Sequence, residues 1–197
     1  MLEGTDLTLE IVEKSINSSY NILYEIDQKL VSIGSSHLSE LVELANLSSI
    51  LGNIFSGGVA RFSDGAFQRN KPHAYPDLLH YSNDPSKDIE IKVALETNKP
   101  KGHLAKEGNY LTIRYVLGNE DGTYERGTRG NVIWIWELKF GQLSKTDFSF
   151  SSTEGDSGKT AVIHSKAFEG MILLYFDPSF CPYAKQPYPD PEPKTLD

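Results

Sequence analysis

Residues 75 to 92, YPDLLHYSNDPSKDIEIK, carry Asp77, Glu90 and Lys92 inside one short patterned stretch. Two carboxylates that converge form a site for a hard divalent cation such as Mg2+, which takes oxygen ligands and keeps several waters. A lysine ammonium held beside that cation orients or helps deprotonate an attacking water and stabilises charge growing on a phosphate. The chemistry therefore requires the three side chains to meet. In DIEIKVAL, strict alternation places Asp88, Glu90 and Lys92 on one face of a strand and Ile89, Ile91 and Val93 on the other. Pro76 sets a turn or strand start at Asp77, and Asn83-Asp84-Pro85-Ser86 reads as a turn. DLLHY and DIEIKVAL are thus expected to form an antiparallel hairpin that brings Asp77 to the Glu90 end of the second strand. The plainer alternative is a turn cap at Asp77 with Glu90 and Lys92 as an exposed pair of little energetic consequence.

A second Glu-x-Lys, in NVIWIWELKFG, shows how little the tripeptide says by itself. Alternation predicts Trp134, Trp136, Leu138 and Phe140 on one face, and Ile133, Ile135, Glu137 and Lys139 on the other. No Pro-Asp precedes it at hairpin distance; the nearest upstream acids, Asp121 and Glu125, lie in a glycine-rich loop. It reads as a core strand, with Lys139 as a possible phosphate contact beside the site. EGDSGKT at 154–160 resembles a nucleotide-binding loop, but that motif needs a glycine where Thr153 stands and a helix where AVIHS follows. No nucleotide cofactor is expected. The loop is instead a candidate DNA-facing element through Ser157 and Lys159. The clusters RFSDGAFQRNKPH and NKPKGHLAK add Arg69, Lys71, Lys101 and His103 as candidate DNA contacts, against the reading of each cluster as a solvated loop. The histidines show no zinc-ligand spacing, and no G-x-S-x-G marks a serine nucleophile.

The 197 residues point to one domain large enough to bury a core, and 39% apolar residues with nineteen Phe and Tyr suit a folded globular chain. No run is long and apolar enough for a membrane helix, and the acidic start MLEGTDLTLE is unlike a secretory signal, so a soluble cytoplasmic protein is expected. The single cysteine, Cys181, excludes an internal disulfide and is expected to be a plain thiol. A net charge of −8 speaks against a polyanionic partner, yet it is unevenly spread. Met1 to Ser48 holds eight acidic and two basic residues, whereas Arg61 to Lys106 holds eight basic and six acidic.

The elements that must position the site follow from periodicity. Apolar residues at three- and four-residue steps predict one helix through about Leu30 and a second over 38–51, ended or bent near Gly52 and stopped by Ser56-Gly57-Gly58. After Pro76 the chain turns to strand-like runs: DIEIKVAL, NYLTIRYVLG, NVIWIWELKF, DFSFS, KTAVIHS and GMILLYFDP. Two helices followed by a sheet predict an α+β or mixed α/β domain over 1–180, with a proline-rich extended or mobile tail over 181–197.

Pro76-Asp77 followed by Glu90-Ile91-Lys92 resembles the PD-(D/E)xK nuclease superfamily, and the setting PHAYPDLL with an apolar-patterned E-x-K strand is similar to type II restriction endonucleases. The resemblance covers about residues 38 to 140. It implies a central mixed sheet flanked by helices and Mg2+-dependent hydrolysis of phosphodiesters in double-stranded DNA, usually by a homodimer. It further implies an acidic residue from the preceding helix; Glu40 and Glu43 share nearly one face there, and Glu43, beside the leucine stripe, is the preferred candidate. A repair or recombination nuclease of the same superfamily, and a non-enzymatic module binding protein through its acidic N-terminal helices, stay open as alternatives.

Overall fold

The computed structural model describes residues 5–72, 74–102, 106–151 and 160–188. Helix α1 (Leu9–Ser32) is capped by Thr8, whose side chain accepts the Ile11 amide, and it buries Ile11, Val12, Ile16 and Leu23. Where one continuous second helix is expected, two occur: a single turn, α2 (Leu38–Leu41), and a long helix, α3 (Leu44–Phe62). Extended backbone at Val42 and Glu43 separates them. The turn of α2 is pinned elsewhere, with the Leu38 amide donating to Asp27 at 2.7 Å and the Ser39 hydroxyl to the Asn131 carbonyl at 2.6 Å. Helix α3 also runs through Gly52 and Ser56-Gly57-Gly58, which the sequence reads as its end. Gly58 is an interhelix contact: a Cβ there would lie 3.0 Å from the Ser15 backbone of α1. Packing against α1 thus outweighs the helix-weakening effect of glycine.

The helices cover one face of a six-stranded mixed sheet in the order β1 (Phe67–Arg69), β2 (Leu78–His80), β3 (Ile89–Leu95), β5 (Gly108–Gly118), β6 (Val132–Leu143), β9 (Ile172–Phe176). A smaller sheet has the order β4 (Lys101–Gly102), β8 (Thr160–Ile163), β7 (Phe148–Ser151). All six runs read as strands in the sequence are strands here, and the α+β class holds. Strands β3 and β5 pair in parallel and every other neighbour pairs antiparallel. A parallel connection usually passes through a helix; here it passes through β4. The main core lies between the sheet and α1 and α3, with Ile89, Ile91, Leu111, Ile113, Ile135 and Leu138 facing Val12, Leu47, Leu51 and Phe55.

The expected faces of β6 are corrected by a bulge. Tyr115 pairs with Ile135 and Arg114 with Glu137, which leaves Trp136 as an extra residue. One inserted residue changes the phase of everything beyond it. Ile133 and Ile135, then Leu138 and Phe140, face the helices, while Trp134 and Trp136 join a separate cluster with Phe180 and Cys181. That cluster shows the start of the expected mobile tail to be packed: Tyr183 and Tyr188 lie against it, and residues 189–197 are outside the described residues. Cys181 is buried, and burial pushes its thiol up. Among the described residues, no helix is long and apolar enough to cross a membrane.

Candidate active site

The hairpin of β2 and β3 forms as expected, with Leu78 opposite Ile89. Side chains fix its ends. The His80 amide donates to Asp88 at 2.8 Å, and the Asn109 amide group donates to the Ser86 carbonyl at 2.7 Å and the Asp88 carbonyl at 3.1 Å. Asn70 holds the Pro76-Asp77 backbone twice, through its side chain to the Pro76 carbonyl at 2.8 Å and its amide to the Asp77 carbonyl at 3.0 Å. Because β2 begins only at Leu78, opposite Ile89, the edge of β3 beyond Ile89 has no strand beside it among the described residues. Asp77 fills part of that gap: its Oδ2 accepts the Ile91 amide at 2.8 Å. A carboxylate that takes the place of a ladder partner is set by the strand itself.

The three residues named for chemistry come together. Ile89 and Ile91 turn into the core, so Glu90 and Lys92 share the opposite face of β3, and the Lys92 ammonium is hydrogen-bonded to Glu90 Oε1. Glu90 is 8% exposed. Burial raises its carboxyl above the ordinary glutamate range; Lys92 opposes the rise, and the negative charge of Asp77, in hydrogen-bonding reach, adds to it. Two carboxyl groups and one ammonium thus meet in a partly desolvated place. That donor set fits a divalent cation. Among the described residues no third His, Cys, Asp or Glu joins them, so the remaining ligands of such a cation would be water, backbone or substrate oxygens.

Two tyrosines that the sequence does not single out close the other side. Tyr75 donates to the Glu107 carbonyl at 3.2 Å with the Lys106 ammonium over its ring at 3.9 Å, and Tyr110 donates to the Lys106 carbonyl at 2.8 Å. Burial raises both hydroxyls, so both stay neutral donors at physiological pH. Gly102 is the second omission. A Cβ there would lie 2.9 Å from Lys92 Cε and 3.3 Å from Nζ, so glycine leaves the room in which the ammonium sits. Neither carries a local sequence signal beyond the adjacency of Tyr75 to Pro76-Asp77.

A cleft of about 900 Å3 opens along the free edge of β3, and Asp77 and Lys92 are in its wall. Arg69, Lys71 and Lys101, proposed from the basic clusters, line the same cleft and are exposed. The helix α3 wall is polar but not acidic, with Ser48, Ser49, Asn53 and Ser56. Glu43 does not belong to it. The break before α3 makes Glu43 the exposed N-cap residue, and Glu40 is used in accepting the His37 amide at 3.1 Å. His103, Ser157 and Lys159 lie outside the described residues.

The second Glu-x-Lys is structural. Glu137 is fully buried, and both its oxygens accept from the Arg114 guanidinium, itself 3% exposed and stacked 4.1 Å over Trp136. Tyr188 donates to the same carboxylate, and Arg114 donates to the Tyr183 hydroxyl at 3.0 Å. Lys139 is not a phosphate contact: it is buried, and its ammonium donates to the Phe168 carbonyl at 2.7 Å at the end of the short helix Ser165–Gly170.

No family model matches this chain, and no curated protein matches its sequence. The chemistry therefore rests on the geometry of Asp77, Glu90, Lys92 and the cleft.

Proposed function

We propose that the protein is a Mg2+-dependent endodeoxyribonuclease of the PD-(D/E)xK type. The observation that carries this reading is the convergence of Asp77, Glu90 and Lys92, with Asp77 and Lys92 in the wall of a cleft whose exposed charges are basic, in a chain of net charge −8. Asp77 and Glu90 would hold the cation, which when bound supplies Lewis acidity toward a phosphate oxygen and an acidified water. Lys92, beside Glu90, would present its ammonium as a proton donor to the phosphate. Arg69, Lys71 and Lys101 hold flanking phosphates. Tyr75 and Tyr110 keep Glu90 shielded from bulk water. Each chain contributes one Asp77–Glu90–Lys92 group, so cutting both strands of a duplex takes two copies. Within this reading the substrate is double-stranded DNA and the activity that of a type II restriction endonuclease.

Purified protein is expected to nick supercoiled plasmid with Mg2+ or Mn2+, and Asp77→Ala and Lys92→Ala are expected to abolish nicking while remaining folded. Independently of turnover, millimolar Mg2+ should raise the melting temperature of the wild type and not that of Asp77→Ala. Discrete fragments from a long substrate support a specific restriction enzyme, and a smear supports a repair-type nuclease. Absence of both nicking and a Mg2+-dependent melting shift would sink the proposal.

A further inference from the structure

We propose that the cleft continues as a phosphate track along the outer ridge of α3 to Arg61, so that one strand of a DNA duplex runs past Asp77 and Glu90 and on across this helix. The inference rests on the nuclease reading and extends it to where the substrate lies. Helix α3 contains no aspartate or glutamate from Leu44 to Phe62 in a chain that has 27 of them, and its one charged residue is Arg61. Residues four apart on a helix form a ridge. Ala45, Ser49 and Asn53 on one such ridge line the main cleft, and Asn53, Gly57 and Arg61 continue it into an adjoining hollow of about 300 Å3. The two hollows share Asn53 and Arg69, whose guanidinium donates to the Asn53 side chain at 3.1 Å. That partner is neutral, so the arginine charge is not cancelled.

Charge placement favours the strip. Among the described residues, Arg61, Arg69, Lys71 and Lys101 belong to the basic residues that stand in no salt bridge, and they are the ones that border the acid-free helix and the two hollows beside it. A polyanion is repelled by most of this acidic surface, and an acid-free ridge ending in cations is where it is accommodated. Small side chains let a phosphate backbone approach the helix, and Ser49 and Asn53 offer donors that position phosphates without reading sequence. From Asn53 to Arg61 the helix rises ~12 Å at 1.5 Å per residue, the axial length of about three to four nucleotides of one strand.

The test is equilibrium binding of the full chain to a fluorescein-labelled duplex of about 30 base pairs, read by anisotropy with Ca2+ in place of Mg2+, between about 50 and 200 mM salt. Arg61→Ala should weaken binding about fivefold and make the slope of log affinity against log salt shallower by about one, the signature of one lost phosphate contact. Arg61→Lys should recover most of the affinity, and Lys29→Ala, an exposed lysine on α1, should change neither. All variants should keep the wild-type melting temperature. A wild type that binds and cuts DNA, with Arg61→Ala unchanged in affinity and slope, overturns the track and leaves the nuclease reading standing. A wild type that neither binds nor cuts overturns both. Tighter, Arg61-dependent binding of an RNA duplex of the same sequence overturns the assignment to DNA.

Discussion

Arg114→Met asks whether the second Glu-x-Lys is held by structure or by chemistry. The substitution leaves Glu137, fully buried, with the Tyr188 hydroxyl and no hydrogen-bonded cation, only the more distant charge of Lys139. Removing one partner of a buried ion pair costs ~3–5 kcal/mol, because the other charge is left uncompensated. Loss of the guanidinium stacked over Trp136 adds ~1 kcal/mol, and methionine, which adapts to irregular space, returns a similar amount by packing. The net is ~4 kcal/mol, a large part of the 5–15 kcal/mol that holds a domain folded. With a urea dependence of ~2 kcal/mol per molar, the unfolding midpoint should fall by ~2 M. Tryptophan fluorescence reads this directly, since Trp136 sits in the network. The double variant Arg114→Met/Glu137→Leu should return to within ~2 kcal/mol of wild type, because the ion pair is removed as a unit, while buried Lys139 loses the attraction of Glu137 and keeps its bond to the Phe168 carbonyl. A midpoint change of Arg114→Met below ~0.5 M would refute the reasoning. So would a double variant that is stably folded yet no longer nicks plasmid, which would move the chemistry to Glu137 and Lys139.

Two further outcomes follow from contacts around the hairpin. Gly102→Ala places a Cβ 2.9 Å from Lys92 Cε; since the end of a lysine can swing aside, the melting temperature should barely move, while nicking falls at least ~10-fold from displacement of the ammonium, and a fully active variant would disprove the positioning role. Asp6 accepts from His80 at 2.6 Å, and that bond holds its carboxyl below the ordinary aspartate range, so its stabilisation is present above about pH 4 and is lost as pH falls through the lowered folded value. Asp6→Asn should therefore melt below wild type at pH 7, with the two curves converging below about pH 4; a gap of constant size from pH 7 to pH 3 would count against the pairing.

The hairpin was legible because its signals are local: a proline, a turn sequence and an alternating strand all lie between Tyr75 and Leu95. Glu90 and Lys92 fall on one face by strand geometry alone, and Asp77 follows from the turn. What escaped was decided by contacts distant in sequence. Helix α3 passes Gly58 because Ser15 of α1 comes close there, and no reading of Ser56-Gly57-Gly58 contains Ser15. Glu43 was misplaced because α2 is held by Asp27 and Asn131, one before it and one far after. The faces of β6 were misassigned from Glu137 onward because a bulge leaves no mark in an alternating apolar pattern; Glu137 and Lys139 read alike whether they meet solvent or Arg114.

The link from β3 to β5 has a consequence for how the protein can change over evolutionary time. Because β4 is both the return path between the two parallel strands and an edge of the small sheet, that sheet is not an appendage that can be trimmed or exchanged. Shortening the segment between Leu95 and Gly108 would deprive β5 of its route back alongside β3, and with it the strand that supports Glu90 and Lys92. Insertions are better tolerated at the exposed turn over residues 125–128, between β5 and β6 and away from the cleft, than at Glu120, Arg129 and Asn131, which are tied to His37, Glu96 and Ser39. Lineages of this chain should therefore diverge in length at that turn and hold the β4 crossover fixed.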